Sequence, residues 1–378
     1  MTTTNPPTPL GERTNVDVRA VERELTALWK QVAEGDGGEK RAAVTRTCVL
    51  NLVVMTGGTR AAQHATDMIA RLTARHPNRA IVVSAAPDAQ EELLDAWVQA
   101  HCQMPGPGRP QVCCEQITIE ARGGAVARVP GTVLPLLVPD VPVMLWWPRG
   151  EPFADPLFTR LHDLADRLIV DTATFAAPEA GLARMESLLG PATAISDLTW
   201  TRLTPWRELI AQFFDVPAMA AHLAEIAEIA VDYELRPGEQ LDRTPALLLV
   251  GWLSSRLGWR SSGAPATHDG VTTIPLSRRD GGAVQVVLRP AEPKEDALDR
   301  LAGLTLRCPR AHFHVGRHES PDAAVAWSEV EGMQTLRRIV RLERLDEAGL
   351  LAEEVRLLGR DRAFEGALQA AAALIAQL

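Results

Sequence analysis

The chain has 378 residues, which is more than one hydrophobic core normally organises, because cores stop growing at about 250–300 residues. Two domains are therefore expected. A hydrophobic fraction of 46% with 23% charged residues excludes an intrinsically disordered chain. The net charge of −9 argues against nucleic acid and against an anionic membrane as partners, because both require clustered cations.

The amino-terminal residues 1–16 contain no apolar run of signal-peptide length, and we predict that they are a disordered lead-in. The most apolar stretch, residues 132–147, contains three prolines and a charge, so we do not expect it to span a membrane. Five cysteines without a CxxC motif favour reduced thiols and a cytoplasmic protein, with a thiol switch as the alternative. Cys113 and Cys114 are adjacent in a predicted strand and point to opposite faces, so they are poor partners for each other.

The first half of the chain alternates helical and strand patterns. A strand, a helix and a second apolar strand follow one another from residue 47 to residue 84, which predicts a parallel pair with a right-handed crossover. We therefore predict an α/β domain over residues 17–190, with a largely parallel sheet flanked by helices. Its predicted helices are 17–33, 61–75, 88–101 and 156–166, and its predicted strands are 47–55, 80–84, 112–121, 141–146 and 168–171.

The second half has a different pattern. Thr204 and Thr244 each precede a proline, which is tolerated at the first helical position because no hydrogen bond is lost there. The helix after Thr244 is apolar nearly all round, so we expect it to be buried. Two helices close the chain, the last starting at Asp361. Between the helix after Thr244 and these two closing helices, short alternating runs predict a mainly antiparallel sheet. We therefore predict an α+β domain over 191–378, with strands at 271–276, 283–288, 301–308, 312–317, 323–330 and 336–342.

One candidate ligand site lies in the first domain. The turn TGGT at residues 56–59 follows a predicted buried strand, where open α/β sheets bind phosphate, so Gly57, Gly58 and Thr59 are candidate binding residues. The third glycine of GxGxxG and the GK[ST] of a P-loop are absent, and the alternative is a simple tight turn. Asp171 ends another predicted strand; it either faces the same crevice or caps the next helix, and capping is favoured.

A second candidate is a run of potential zinc ligands, Cys308, His312, His314 and His318, which would share one face of an extended strand. Pro309 and Gly316 interrupt that strand, and ligands along a straight strand do not converge, so we predict no metal site; the alternative is that His312 and His314 form half of one. The chain also lacks GxSxG, HExxH, DxDxDG and the kinase motifs. We therefore predict no catalytic residue and no cofactor.

Tryptophan is unusually frequent, with nine residues against one tyrosine. Tryptophan and arginine are enriched at the energetic centres of protein interfaces. Trp146 and Trp147 are adjacent in a predicted strand and must point in opposite directions, so we expect one of them to be exposed. The predicted partner-binding residues are Trp146, Trp147, Arg149, Trp206 and Arg207; the alternative is that the tryptophans fill the core.

Five segments together resemble the bacterial OpcA family, the glucose-6-phosphate dehydrogenase assembly proteins. They are PDVPVMLWWP (139–148), RLIVDTATF (167–175), DLTWTRLTPWRELIAQFFD (197–215), GWLSSRLGW (251–259) and LLGRDRAFEGAL (357–368). The resemblance implies a non-catalytic partner of glucose-6-phosphate dehydrogenase that favours its active oligomer. The C-terminal disulfide switch of some members is not expected, because the second half has only Cys308. The alternative is a sugar-phosphate or nucleotide-binding enzyme that uses residues 56–59 and Asp171.

Overall fold

The computed structural model describes residues 11–12, 15–34, 44–73, 75–103, 111–235, 241–293, 299–320 and 322–378. Most of the predicted lead-in, residues 1–10 and 13–14, lies outside these ranges, while Gly11–Glu12 pairs with Asn15–Val16 as antiparallel strands β1 and β2. The chain forms two compact units. The first comprises Met1–Thr174, Gly190–Ser196 and Asp346–Arg360, and the second comprises Phe175–Leu189, Asp197–Leu345 and Asp361–Leu378. The sequence pattern predicted a single boundary near residue 190, whereas each unit consists of three segments of the chain.

An eight-stranded sheet forms the centre of the first unit. Its strands are β3 (Val44–Arg46), β4 (Leu50–Thr56), β5 (Asn78–Ala86), β6 (Leu93–Gln103), β7 (Gln111–Arg122), β8 (Val143–Trp147), β9 (Arg167–Val170) and β10 (Ala194–Asp197), and the helices of the unit are α1 (Val18–Glu34), α2 (Thr59–Leu72), α3 (Val129–Val133), α4 (Phe158–His162) and α10 (Glu347–Arg356). The strand order is β10-β9-β8-β4-β5-β7-β3, with β6 also pairing with β7. The described pairs are parallel except β6 with β7, which confirms the largely parallel sheet.

The predicted helix over 88–101 is wrong, because this segment contains strand β6. Its apolar residues fit helical spacing, but they also alternate, and Leu94 and Ala96 are buried when β6 pairs with β7. Pairing with a strand that lies beyond the following loop outweighed the local helical pattern.

Strand β4 is buried along its whole length, as the continuous apolar run predicted, and it pairs in parallel with β5 on one side and β8 on the other. The order β7-β5-β4-β8-β9-β10 is therefore that of a doubly wound sheet. Strands β5 and β7 lie on one side of β4, and β8, β9 and β10 lie on its other side, so the strand order reverses beside β4. This reversal places the turn after Thr56 at the crevice where such sheets receive ligands.

A nine-stranded sheet forms the centre of the second unit. Its strands are β11 (Glu228–Glu234), β12 (Arg260–Ser261), β13 (Ala266–His268), β14 (Val271–Ser277), β15 (Ala283–Ala291), β16 (Leu301–Cys308), β17 (Ala311–Arg317), β18 (Ala323–Val330) and β19 (Leu336–Arg341), and the helices of the unit are α5 (Pro178–Glu186), α6 (Leu198–Arg202), α7 (Thr204–Phe213), α8 (Pro217–Ala220), α9 (Thr244–Leu257) and α11 (Arg362–Ile375). The strand order is β12-β14-β15-β11-β16-β17-β18-β19, with β13 pairing with β14. The described pairs are antiparallel except β11 with β15, which confirms the mainly antiparallel sheet.

Helices α9 and α11 pack against each other in the core of the second unit. Helix α9 is buried over its first eight residues, as its uniformly apolar sequence predicted. Asp361 accepts hydrogen bonds from the amides of Ala363 and Phe364, so helix α11 starts with a side-chain cap at the predicted residue. Gly251 of α9 lies directly against the backbone of α11, where no larger residue fits without displacement.

Candidate functional site

The carboxyl edge of the first sheet carries the predicted ligand turn. Gly58 adopts a φ of 92° between β4 and α2, a conformation that favours glycine, and α2 starts at Thr59 without a side-chain cap. The space in which a Cβ would stand is open at both Gly57 and Gly58. Backbone amides at the start of α2 are thus placed where an anion is stabilised by the helix dipole.

Asp171 does not join this turn. The strand order places β8 between β4 and β9, so Asp171 stands two strands away from residues 56–59, about 10 Å at the usual spacing of strands. Its side chain is buried, and Oδ1 accepts a hydrogen bond of 3.2 Å from the amide of Ala173, while its carbonyl accepts from Thr174. The structure therefore gives Asp171 the role of a turn cap, the alternative that the sequence favoured.

The predicted partner residues of the first unit divide into buried and exposed ones. Trp146 is 0% exposed and Trp147 is 7% exposed, so the expectation that one of the pair is exposed is wrong. Opposite faces of a central parallel strand are both covered, and the Trp147 ring packs edge-on against Phe158 at 6.0 Å. Arg149, just beyond β8, is exposed and remains a candidate contact for a partner.

The predicted partner residues of the second unit are held by internal contacts. Trp206 is buried and donates a hydrogen bond of 2.7 Å from Nε1 to Asp299. The Arg207 guanidinium lies 3.6 Å from the ring centroid of Trp200 and donates to Oγ1 of Thr204 at 2.7 Å. Both side chains therefore stabilise the fold, and this geometry does not present Trp206 to a partner.

The cysteine and histidine run does not form one extended strand, because a turn at residues 309–310 reverses the chain between β16 and β17. Cys308 is buried, and its burial raises the pKa of the thiol to about 12, so it stays protonated and a poor metal ligand. No group of three potential metal ligands converges among the residues that the structure describes.

His314 is a half-buried residue of β17, which lies between β16 and β18 in the second sheet. Its Nδ1 lies 2.9 Å from Oγ1 of Thr305, and its ring stacks on Trp327 with a centroid distance of 5.2 Å. Burial lowers the pKa of His314; the nearby Arg289 acts in the same direction and Asp232 in the opposite one. The imidazole is therefore held in its neutral form.

A disulfide joins Cys102 of β6 to Cys113 of β7, which corrects the expectation of reduced thiols for these two residues. The two residues are direct cross-strand partners, with Cα atoms 4.1 Å apart. The sequence pattern did not predict this pair, because it placed Cys102 just beyond the end of a helix over residues 88–101. Alternation through residue 103 was the signal that would have placed the two cysteines opposite each other. Cys48, Cys114 and Cys308 are free.

No helix in the described part of the chain is long and apolar enough to cross a membrane.

The fold and the site define a doubly wound α/β unit combined with an antiparallel-sheet unit. The crevice at residues 56–59 offers backbone amides, while the carboxylate of Asp171 accepts a hydrogen bond within its own turn. Two family models match, one described as the glucose-6-phosphate dehydrogenase subunit N-terminal domain over residues 69–187 and one as the C-terminal domain over residues 193–368. Together they span most of the chain, which belongs to the OpcA family.

Curated relatives carry the same family name. A Nostoc punctiforme protein provisionally named OxPP cycle protein OpcA is 30% identical over 296 residues, covering 74% of this chain and 61% of that protein. A Synechocystis protein of that name is 34% identical over 190 residues, covering 50% of this chain and 38% of that protein. The aligned part thus spans less than two thirds of either relative. Among solved structures, a 3-ketoreductase from Actinomadura kijaniata in complex with NADP and TDP-benzene is 11% identical, with a TM-score of 0.49 over 87% of this chain and 96% of that chain.

Proposed function

We propose that this chain acts in the cytoplasm as a non-catalytic assembly protein that binds glucose-6-phosphate dehydrogenase and favours its active oligomer. The observation that carries the proposal is the match of both halves of the chain to models described as subunits of that dehydrogenase. The geometry of the crevice supports the proposal, because Asp171 accepts a hydrogen bond within its own turn and lies two strands away from residues 56–59. This predicted carboxylate therefore does not stand beside the amides of α2.

Such a protein acts through differential affinity. If it binds the active oligomer more tightly than the inactive form, it shifts the equilibrium between them by that difference in binding free energy and no further. A preference of about 2.8 kcal/mol shifts the ratio of the two forms roughly a hundredfold. The activation must therefore saturate once the dehydrogenase is fully bound.

The test is a titration of this chain into the dehydrogenase of the same organism, followed by sedimentation velocity and by initial rates of NADPH formation. We expect a larger sedimenting species and a higher kcat or lower KM, both saturating at one fixed stoichiometry. The chain alone, incubated with NADP and glucose 6-phosphate, is the control and should form no NADPH. Unchanged sedimentation together with unchanged rates would contradict the proposal.

A second candidate is an enzyme that binds a sugar phosphate or a nucleotide at residues 56–59. The open space at Gly57 and Gly58, beside the reversal in strand order, favours it. It predicts that NADP, glucose 6-phosphate or 6-phosphogluconate raises the Tm of the chain, and that Thr59→Glu abolishes the rise by placing a carboxylate at the exposed start of α2. The assembly role requires no such response.

A further inference from the structure

Strand β19 is the last strand at one edge of the second sheet, and no described strand pairs with its outer side. It pairs with β18, and the amide of Leu342 donates to the carbonyl of Asp322 at 2.8 Å in the same register. Hydrogen-bonded positions alternate along an antiparallel pair. Residues 336, 338 and 340 therefore bond to β18, while the backbone amides and carbonyls of residues 337, 339 and 341 point away from the sheet.

The side chains of these outward-bonding residues are Arg337, Ile339 and Arg341, and they share one face of the sheet because the side-chain period is two. All three are exposed, and Ile339 reaches 60% exposure. Neither Arg337 nor Arg341 forms an ion pair with a residue that the structure describes. The edge thus offers three backbone positions, one apolar side chain and two cations without an ion-pair partner among the described residues, all in a single row.

The charge of this strand is opposite to that of the whole molecule. Its six residues, LRRIVR, contain three arginines and no carboxylate, in a chain with a net charge of −9. Arg338 donates to Gln212 at 2.8 Å. Among the nearby carboxylates, Asp322 lies 3.6 Å from Arg344, and Glu329 and Glu343 stand beyond the two ends of the strand.

We propose that β19 binds an extended acidic strand of the partner protein, which adds to the sheet with carboxylates opposite Arg337 and Arg341 and an apolar side chain opposite Ile339. Side chains directly opposite across an added strand lie about 5 Å apart, within reach of an ion pair. A second copy of this chain does not fit, because pairing two β19 strands would bring six arginines together. The inference rests on the proposed function in taking the dehydrogenase as that partner.

Arginines on an edge strand also prevent edge-to-edge aggregation, which is a structural alternative. That alternative does not account for Ile339 and for Leu336, which is 55% exposed, because apolar residues on an edge favour association. The two explanations differ in one measurable respect: only binding of a strand protects the outward amides of β19.

The experiment is hydrogen exchange at single-residue resolution on this chain, alone and saturated with the dehydrogenase. We expect the amides of residues 337, 339 and 341 to exchange at least tenfold more slowly in the complex. The amides of residues 336, 338 and 340, already bonded to β18, should change less. A complex that forms without protection at 337, 339 and 341 overturns the inference and leaves the proposed function standing.

Charge reversal tests the same surface by affinity. The double variant Arg337→Glu/Arg341→Glu should weaken binding to the dehydrogenase at least tenfold. The matched control Arg256→Glu/Arg260→Glu makes the same change of charge at exposed residues near the opposite edge of the sheet, and should change binding less than twofold. Equal effects of the two double variants would overturn the inference.

A peptide probe separates this inference from the proposed function if no complex with the dehydrogenase forms. Two fluorescein-labelled peptides are used, Thr-Glu-Thr-Val-Thr-Glu-Thr and the same peptide with lysine in place of glutamate. The acidic peptide should bind the chain at least threefold more tightly than the basic one, and the Arg337→Glu/Arg341→Glu variant should reverse that preference. Absence of a complex refutes the proposed function, and equal binding of the two peptides refutes the strand inference.

Discussion

Replacing Gly251 with alanine tests the packing of the second core, because this glycine is where α9 and α11 meet. A Cβ at residue 251 would lie 2.4 Å from the carbonyl oxygen of Ala367 and 2.9 Å from the amide nitrogen of Ala371. Both are backbone atoms of α11, so no side-chain rotation relieves the contact. The two helices must move apart for the variant to fold.

The magnitude follows from two opposing effects. Real Cβ atoms essentially never approach closer than 3.0 Å, so the 2.4 Å contact requires a shift of at least about 0.6 Å. A gap of that size forfeits about a quarter or more of the dispersion energy of the neighbouring contacts, and overpacking typically costs about 1–3 kcal/mol. Alanine regains about 1 kcal/mol of helix propensity. We expect a net loss of up to about 2 kcal/mol, or up to roughly 8 °C in Tm for a unit of this size.

Scanning calorimetry and urea unfolding of Gly251→Ala measure this loss. The matched control is Gly131→Ala, which makes the same change in helix α3, where no atom beyond the neighbouring residues and backbone of that helix lies within 4 Å of the added Cβ. The control should be unchanged or stabilised by up to about 1 kcal/mol. A Gly251→Ala protein as stable as the control would contradict this prediction, because it would show that α9 and α11 tolerate the added methyl group.

Three further predictions concern named side chains. Arg207→Glu should lower the free energy of unfolding by about 1–3 kcal/mol by removing the stack on tryptophan and its hydrogen bonds, whereas Arg149→Glu, at an exposed position, should change it by less than about 0.5 kcal/mol. Thiol titration of the unfolded, unreduced protein should find three thiols, and reduction of the Cys102–Cys113 disulfide should cost about 3 kcal/mol; five thiols before reduction would contradict the pairing. Because the pKa of folded His314 is lowered, the unfolded state binds more protons below about pH 6.5, so its contribution to stability is fully present above that pH and declines as the pH falls. Urea midpoints of wild type and His314→Gln across that range measure the contribution; parallel pH profiles would contradict it.

Several elements were predictable because local periodicity reported their burial. The continuous apolar run of β4 predicted a strand covered on both faces, and all seven of its residues are buried. The alternating runs of the second half predicted six of its nine strands, β14 to β19, in the right order, and did not predict β11, β12 and β13. Asp361 predicted the start of α11, because an aspartate at this position satisfies amides that the helix leaves free.

The candidate sites were harder to predict, because exposure and partners depend on residues far away in the chain. Adjacent Trp146 and Trp147 pointed to opposite faces as expected, yet layers of the first unit cover both. The sequence pattern placed Cys102 just after a predicted helix over 88–101, and only the pairing of β6 with β7 brought it opposite Cys113. The turn at residues 309–310 likewise placed Cys308 opposite Ala311, on the other face of the sheet from His312 and His314.

Local sequence patterns were enough to predict the two kinds of sheet and the positions of most helices, because burial periods of 2.0 and 3.6 residues are local properties of the chain. The strand order that puts β19 at an edge, the close approach at Gly251 and the burial of the tryptophans became known only from the folded chain. These features depend on contacts between residues distant in sequence. The local pattern of residues along the chain does not report which distant residues will be in contact.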